Sequence, residues 1–269
     1  MNKENRKTER NFFVRRLNNL PVKKKLGLLT VTFLIAIISL VFLSNFAMNL
    51  LSGIRAYVGA EGLWSKGQKD AAYYLRKYAS SHNEVDYQKY LEGIKIPLAD
   101  KKVRLELIKK DGFNRDIAYE GFKEGKIQPE DVEIMIYLVR TFKGKIKYID
   151  EAIDTWEKGD EVIAKLVSTG DELRQIISSG QGSQERIEQI LSQVDINNEE
   201  LTVLEDKFSY TLGEASRWLK GFLFKIMFGI SGLIIVGGVV IFLLILRHLI
   251  KGIYSIRSAA SRGQNANIS

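Results

Sequence analysis

The stretch LGLLTVTFLIAIISLVFLSNF, residues 26–46, carries no charged side chain, and neither does IMFGISGLIIVGGVVIFLLIL, residues 226–246. As a helix each is long enough to cross the hydrocarbon layer of a bilayer, about 30 Å thick, at about 1.5 Å per residue. A core helix of a soluble protein rarely keeps so many consecutive positions free of charge, and a short chain seldom has two such helices. The two stretches therefore predict two transmembrane helices. A cleavable signal peptide is the competing reading of the first. The 25-residue leader is long for a signal and no clear small-x-small cleavage site follows, so an uncleaved anchor is expected.

Charge then orients the spans. The chain carries a formal +8, concentrated at its ends: residues 1–25 hold nine Lys or Arg against Glu4 and Glu9, and Arg247, Lys251, Arg257 and Arg262 follow the second span without an acid. The intervening chain is nearly balanced. The positive-inside rule puts both termini in the cytoplasm and the middle outside, as expected of a multi-pass protein of a cell inner membrane. Lys23, Lys24 and Lys25 also lie where they meet anionic headgroups, so membrane lipid is an expected partner and nucleic acid is not. With zero cysteines no disulfide framework or thiolate metal site exists, and the outer region must stand on helix packing alone.

Between the spans apolar residues recur at spacings of three and four, which predicts an all-α fold. One stripe runs Leu43, Phe46, Leu50, Ile54, Tyr57, Glu61, Trp64, Gln68, Ala71, Leu75, Tyr78, so the first membrane helix is expected to continue outward to about Ser81. A second stripe, from Ile187 through Leu201, Leu204 and Phe208 to Phe222, leads from a helix start near Ser183 into the second span. A third, Ile146 to Val167, predicts a long helix ending about Ser179 before Gly180-Gln181-Gly182 and packing antiparallel to its successor. From Asp86 to Gly144, Gly93, Pro97, Asp111-Gly112, Gly121, Gly125 and Pro129 predict several shorter helices. Pro97 and Pro129 are expected in first turns, with Asp100, Glu130 and Asp131 near helix starts.

The expected organisation is a basic cytoplasmic tail (1–25), a transmembrane helix (26–46), an extracytoplasmic helical sensor domain (47–225), a second transmembrane helix (226–246) and the start of a cytoplasmic relay helix (247–269). In that last segment Leu246, Leu249, Ile253, Ile256 and Ala260 form one stripe before the turn-like Gly263-Gln264-Asn265-Ala266-Asn267.

A membrane helix passing into such an amphipathic helix and a polar connector resembles the first half of a HAMP relay module, found in membrane histidine kinases, chemoreceptors and cyclic-di-GMP enzymes. The usual proline is absent, with Ile250 near its expected place, and Gly263 with Asn267-Ile268-Ser269 only loosely echoes the module's Gly-Asp-Leu type of ending. Residues 61–75, EGLWSKGQKDAAYYL, with Ile96-Pro97-Leu98-Ala99-Asp100, Gly121-Phe122, Pro129-Glu130-Asp131-Val132 and Ala152-Ile153 with Trp156, resemble a helical extracytoplasmic sensor region of proteobacterial histidine kinases and diguanylate cyclases. That resemblance, over most of residues 54–166, implies receptor architecture but transfers no ligand. A homodimer is expected because apolar stripes continue from both spans and a relay helix needs a parallel partner to form its four-helix bundle.

Glu61 and Gln68 occupy stripe positions either side of Trp64, where apolar side chains are expected. A carboxylate leaving water costs several kcal/mol unless paired. Two readings stand: a polar pair that fixes helix register, or a ligand pocket built on Glu61, Trp64 and Gln68. Tyr73, Tyr74, Tyr78, Tyr87 and Tyr90 are read first as core, and second as walls for a cationic or aromatic ligand. His82 and His248 fall on opposite sides of the membrane, so no His metal site is expected. No nucleotide loop, GxSxG elbow or nucleophilic Cys is present, so no catalytic residue and no cofactor are expected. Gly229, Gly232, Gly237 and Gly238 in the second span are read as close helix packing. The expected function is a sensory and transmembrane module that relays an outside small-molecule or protein stimulus to a cytoplasmic output domain not contained in the chain. The alternative is a membrane-anchored helical scaffold.

Overall fold

The computed structural model describes residues 21–180 and 182–266, and among them the chain is helical throughout, without strands. Six helices follow one another: α1 Val22–Ser81, α2 Glu84–Leu107, α3 Arg115–Glu124, α4 Pro129–Phe142, α5 Lys147–Ser179 and α6 Gln184–Ala266. Most of the basic tail, Gln181 and Asn267-Ile268-Ser269 lie outside the described residues.

Local chemistry fixes the ends. Asn83 caps α2 by accepting the Val85 N–H, and Asn114 caps α3 by accepting those of Asp116 and Ile117, which satisfies donors that a helix start leaves free. Pro129 opens α4, where its missing N–H costs nothing. Gly180 closes α5 at φ +64°, a left-handed position that suits glycine.

Two compact units divide the chain, one formed by residues 1–46 and 222–269, the other by residues 47–221. The first holds the apolar stretches of α1 and α6, each long and apolar enough to cross a membrane. Their side chains mostly point outward: Phe42 is 73% and Leu233 77% exposed, and Ala36 and Ile245 are among the few buried. Of the four glycines in residues 226–246, Gly238 approaches Phe33, whose ring lies 3.1 Å from where a Cβ would stand. Gly229, Gly232 and Gly237 face open space, so the close packing expected at all four is present within one chain at Gly238 alone.

In the second unit α1, α2, α5 and α6 pack as antiparallel neighbours. Between α1 and α6, Glu61 meets Ser209, Gln68 meets Glu205 and Arg76 pairs with Asp195. Between α5 and α6, Lys165 pairs with Glu200 and Arg186 with Glu172. Between α2 and α5, Arg104 pairs with Asp160 and Arg174 with Glu84. Shorter α3 and α4 lean on this frame, with Gly121 against Val103 and the Tyr57 hydroxyl donating to the Met135 carbonyl at 3.0 Å. The core joins Leu75, Tyr78, Tyr87, Tyr90, Leu166, Leu173, Ile190 and Leu201. Gly170 leaves room for Tyr90, whose hydroxyl lies 2.5 Å from where a Cβ would stand.

Two expectations are corrected. Pro97 lies inside α2 rather than in a first turn, so Asp100 is mid-helix and buried, not near a helix start. The carbonyl that Pro97 leaves without an N–H is that of Gly93, where Gly93 and Gly67 bring the backbones of α2 and α1 together: a Cβ at Gly67 would come within 2.8 Å of the Gly93 carbonyl oxygen. The helix runs on through the expected break. The turn expected at residues 263–267 is also overtaken, since α6 continues to Ala266. A single helical glycine costs only about 1 kcal/mol, and Ala259, Ala260 and Arg262 favour the helix.

Candidate functional site

On α1, Tyr57, Ala60, Glu61 and Trp64 follow at steps of three and four and so share one face. This face forms a wall of a cavity of about 50 Å³. Asp100 of α2, Phe122 of α3, Thr155, Trp156 and Gly159 of α5, and Leu204, Glu205 and Phe208 of α6 complete it. Five aromatic rings thus converge from four helices. The Tyr57 ring meets Phe122 and Trp156 edge-on, each at 6.4 Å between centroids. Gly159 admits Trp64, whose ring lies 3.5 Å from where a Cβ would stand.

Three acidic residues line this apolar box, in different settings. Glu205 is saturated: it accepts from Ser65 Oγ at 2.8 Å, Gln68 Nε2 at 2.8 Å and Lys69 Nζ at 2.7 Å. Half-buried Glu61 accepts from Ser209 Oγ at 2.9 Å. Burial raises its pKa, and Glu205 adds to the rise while Ser209 and Lys69 oppose it. Asp100 is 4% exposed, and its Oδ1 has no donor among the described residues. Burial first, and the Asp160 charge second, push its acid well above the usual carboxylate range. Gly125 makes space for that oxygen, since a Cβ there would lie 2.6 Å from it.

Behind Asp100, Arg104 donates from Nε to Asp160 at 2.6 Å and from Nη1 to Glu157 at 3.2 Å. Burial pushes Asp160 up to about 6 against the pull of Arg104. The Trp64 indole N–H also lacks a partner among the described residues. No cluster among them has the composition to hold a metal ion.

Of the residues singled out in the sequence, Glu61 and Trp64 line the cavity. Gln68 lies one turn beyond Trp64, is buried, and holds Glu205 in place from outside the wall. Tyr78, Tyr87 and Tyr90 belong to the core, their rings tilted against one another with centroids 5.2 and 5.3 Å apart, while Tyr73 is exposed. Leu246, Leu249 and Ile253 are exposed on α6. Ile256 and Ala260 follow on the same helix, and their side chains lie outside those described.

Sequence reasoning missed Asp100 and Glu205. Glu205 carried a readable signal, four residues after Leu201 and three before Phe208 in the α6 stripe; Asp100 was hidden by the Pro97 reading. Neither a family model, nor a characterised protein, nor a solved structure matches this chain.

Proposed function

We propose that this chain is the sensory and transmembrane module of a membrane receptor: residues 47–221 sense a stimulus outside the cytoplasm, and α1 and α6 carry it through the bilayer to a cytoplasmic output. One observation carries the reading. The two helices that contain the apolar spans are the same two that supply Tyr57, Glu61, Trp64, Leu204, Glu205 and Phe208 to the cavity. A ligand that draws these residues together acts on unbroken helices, so a displacement of about 1–2 Å is not absorbed by a loop. The stretch of α6 after Leu246 then serves as the first helix of a HAMP-like relay.

The receptor works as a homodimer in this proposal. Ile196, Val203 and Tyr210 are exposed on α6 at intervals of seven residues, the spacing at which parallel helices meet. Because the chain has no cysteine, single cysteines at Gly144 and Ile253 report both claims in intact cells. A membrane-impermeant maleimide is expected to label Gly144→Cys and spare Ile253→Cys, and oxidation is expected to cross-link Ile253→Cys between chains. Labelling of Ile253→Cys from outside, or its failure to cross-link, refutes the two-pass dimeric relay.

A further inference from the structure

The occupant's chemistry can be read from what the walls leave open. Tyr57, Trp64, Phe122, Trp156, Leu204 and Phe208 give the cavity a surface that is almost wholly carbon. The polar groups of the lining are engaged elsewhere. Tyr57 donates its hydroxyl to the Met135 carbonyl, and Thr155 donates to the Glu151 carbonyl at 2.8 Å. Glu61 accepts from Ser209, and Glu205 from Ser65, Gln68 and Lys69. Asp100 Oδ1 lies against Gly125, and it and the Trp64 indole nitrogen are closed off from anything the size of water.

A polar molecule entering this space would shed its water and gain little in return, and a charged one would lose most. An anion would also meet half-buried Glu61. A bare metal ion would find no suitable ligand cluster among the described residues. Carbon set against the aromatic rings is the contact that the walls reward, because an apolar cavity stays dry and burying apolar surface in it is favourable. Size narrows the choice: since one water needs about 10–15 Å³, about 50 Å³ admits roughly four water-sized groups.

We infer that the cavity binds a small neutral apolar molecule of about four non-hydrogen atoms, a short branched hydrocarbon or its halide, held among the rings of Tyr57, Trp64, Phe122, Trp156 and Phe208. This deepens the reading of the cavity as the sensing site and rests on it. The occupant touches α1 through Tyr57, Ala60 and Trp64, and α6 through Leu204 and Phe208. It therefore acts on the spacing of these two helices within residues 47–221.

The probe is isopropyl bromide, a branched molecule of this size whose bromine quenches indole emission on contact. It is titrated into the full chain carrying Trp218→Phe, in detergent micelles, so that emission comes from Trp64 and Trp156 of the cavity wall. Quenching by probe dissolved in the micelle rises in proportion to its concentration, whereas a site saturates. A saturable component is expected, half complete between about 0.1 and 10 mM, the range open to a ligand of so few atoms. Isopropyl chloride, of the same shape and a weaker quencher, is expected to relieve it. Isopropylammonium and tetramethylammonium are expected to compete at least about tenfold less well.

Two variants place the site. Ala60→Leu fills most of the space from α1 and is expected to abolish the saturable component. Gly159→Ala adds a Cβ that would meet the Trp64 ring at 3.5 Å, an ordinary contact. It is expected to weaken the probe by about tenfold while lowering the melting temperature little, so the test survives a failure of Ala60→Leu to fold. Absence of saturable quenching overturns the proposal, and so does quenching that both folded variants leave unchanged. Equal competition by either cation overturns the neutral, apolar class. None of these outcomes touches the maleimide and cross-linking results on which the receptor reading stands.

Discussion

Along residues 47–221 the same helices build two unlike regions. Around Leu75 the stripe of α1 stays apolar, and Ala71, Leu75 and Tyr78 close against Leu166, Leu173, Ile190 and the buried tyrosines Tyr87 and Tyr90. Around Glu61 the stripe turns polar. There the helices leave a cavity and a set of carboxylates, with Asp100 and Trp64 each holding an unpaired polar atom among the described residues. The first region is closed from solvent, and close packing of such a core favours one arrangement of the helices. The second forgoes that packing between the two helices that run on into the apolar spans. The helix pair is thus closed at one level and set around a fillable space at another.

The comparison breaks first at Arg104. Its side chain and that of Asp160 are 4% and 2% exposed, so Arg104→Ala leaves a buried carboxylate without its partner. The expected loss is about 3–5 kcal/mol, measured by denaturant unfolding of the full chain in micelles. Asp160 ionises at about 6 in the fold, and losing Arg104 raises that further. The loss is therefore expected to be larger at pH 8 than at pH 5, where protonation removes the stranded charge. A loss below about 1 kcal/mol at pH 8 would mean that the cavity end does not depend on this pair.

At the packed end the corresponding cut is Leu75→Ala. Leu75 is fully buried within the core, and deletion of a buried leucine side chain costs about 2–5 kcal/mol through lost transfer energy and the space left behind. Unlike the Arg104 change, this loss is expected to be flat between pH 5 and pH 8, because no titrating group touches the argument. Leu75 lies outside the cavity wall, so a pH-dependent loss would show the two regions to be one.

How much of this was legible differs between the regions. The packed end was readable because its residues obey one rule: apolar side chains at steps of three and four, with Gly180 marking the α5 turn. The all-helical class and the continuation of α1 to Ser81 follow from the same periodicity, and the two apolar stretches from their lack of charge. At the cavity, Glu61 and Trp64 stood out in the stripe because they broke the rule. Asp100 did not, since an acid three residues after a proline reads locally as a helix start. Yet α2 stays helical through Pro97, where Gly67 and Gly93, distant in sequence, approach closely, and Asp100 is mid-helix and buried. Glu205 lay on a readable stripe, yet its saturation by Ser65, Gln68 and Lys69 is a tertiary fact.

The smallest expected effect is the sharpest test of the cavity end, and it lies in the pH dependence of Asp100→Asn. In the fold Asp100 takes up its proton at a pH well above that of the unfolded chain, for which the ordinary carboxylate value is about 3.9. Above that value the folded chain binds more protons here than the unfolded one, so Asp100 lowers stability progressively as pH rises through the window up to its folded pKa. Below the window the group is neutral in both states and contributes no slope.

Asparagine keeps the shape and cannot ionise, so the variant escapes the fall. Other groups, such as Asp86 and Glu106 with their lowered values, act with the opposite sign but cancel in the difference between variant and parent. The melting temperature of Asp100→Asn minus that of the parent is therefore expected to be near zero at pH 4 and to grow positive toward pH 7. A difference that stays constant with pH would show that burial and the Asp160 charge do not hold Asp100 protonated in the fold.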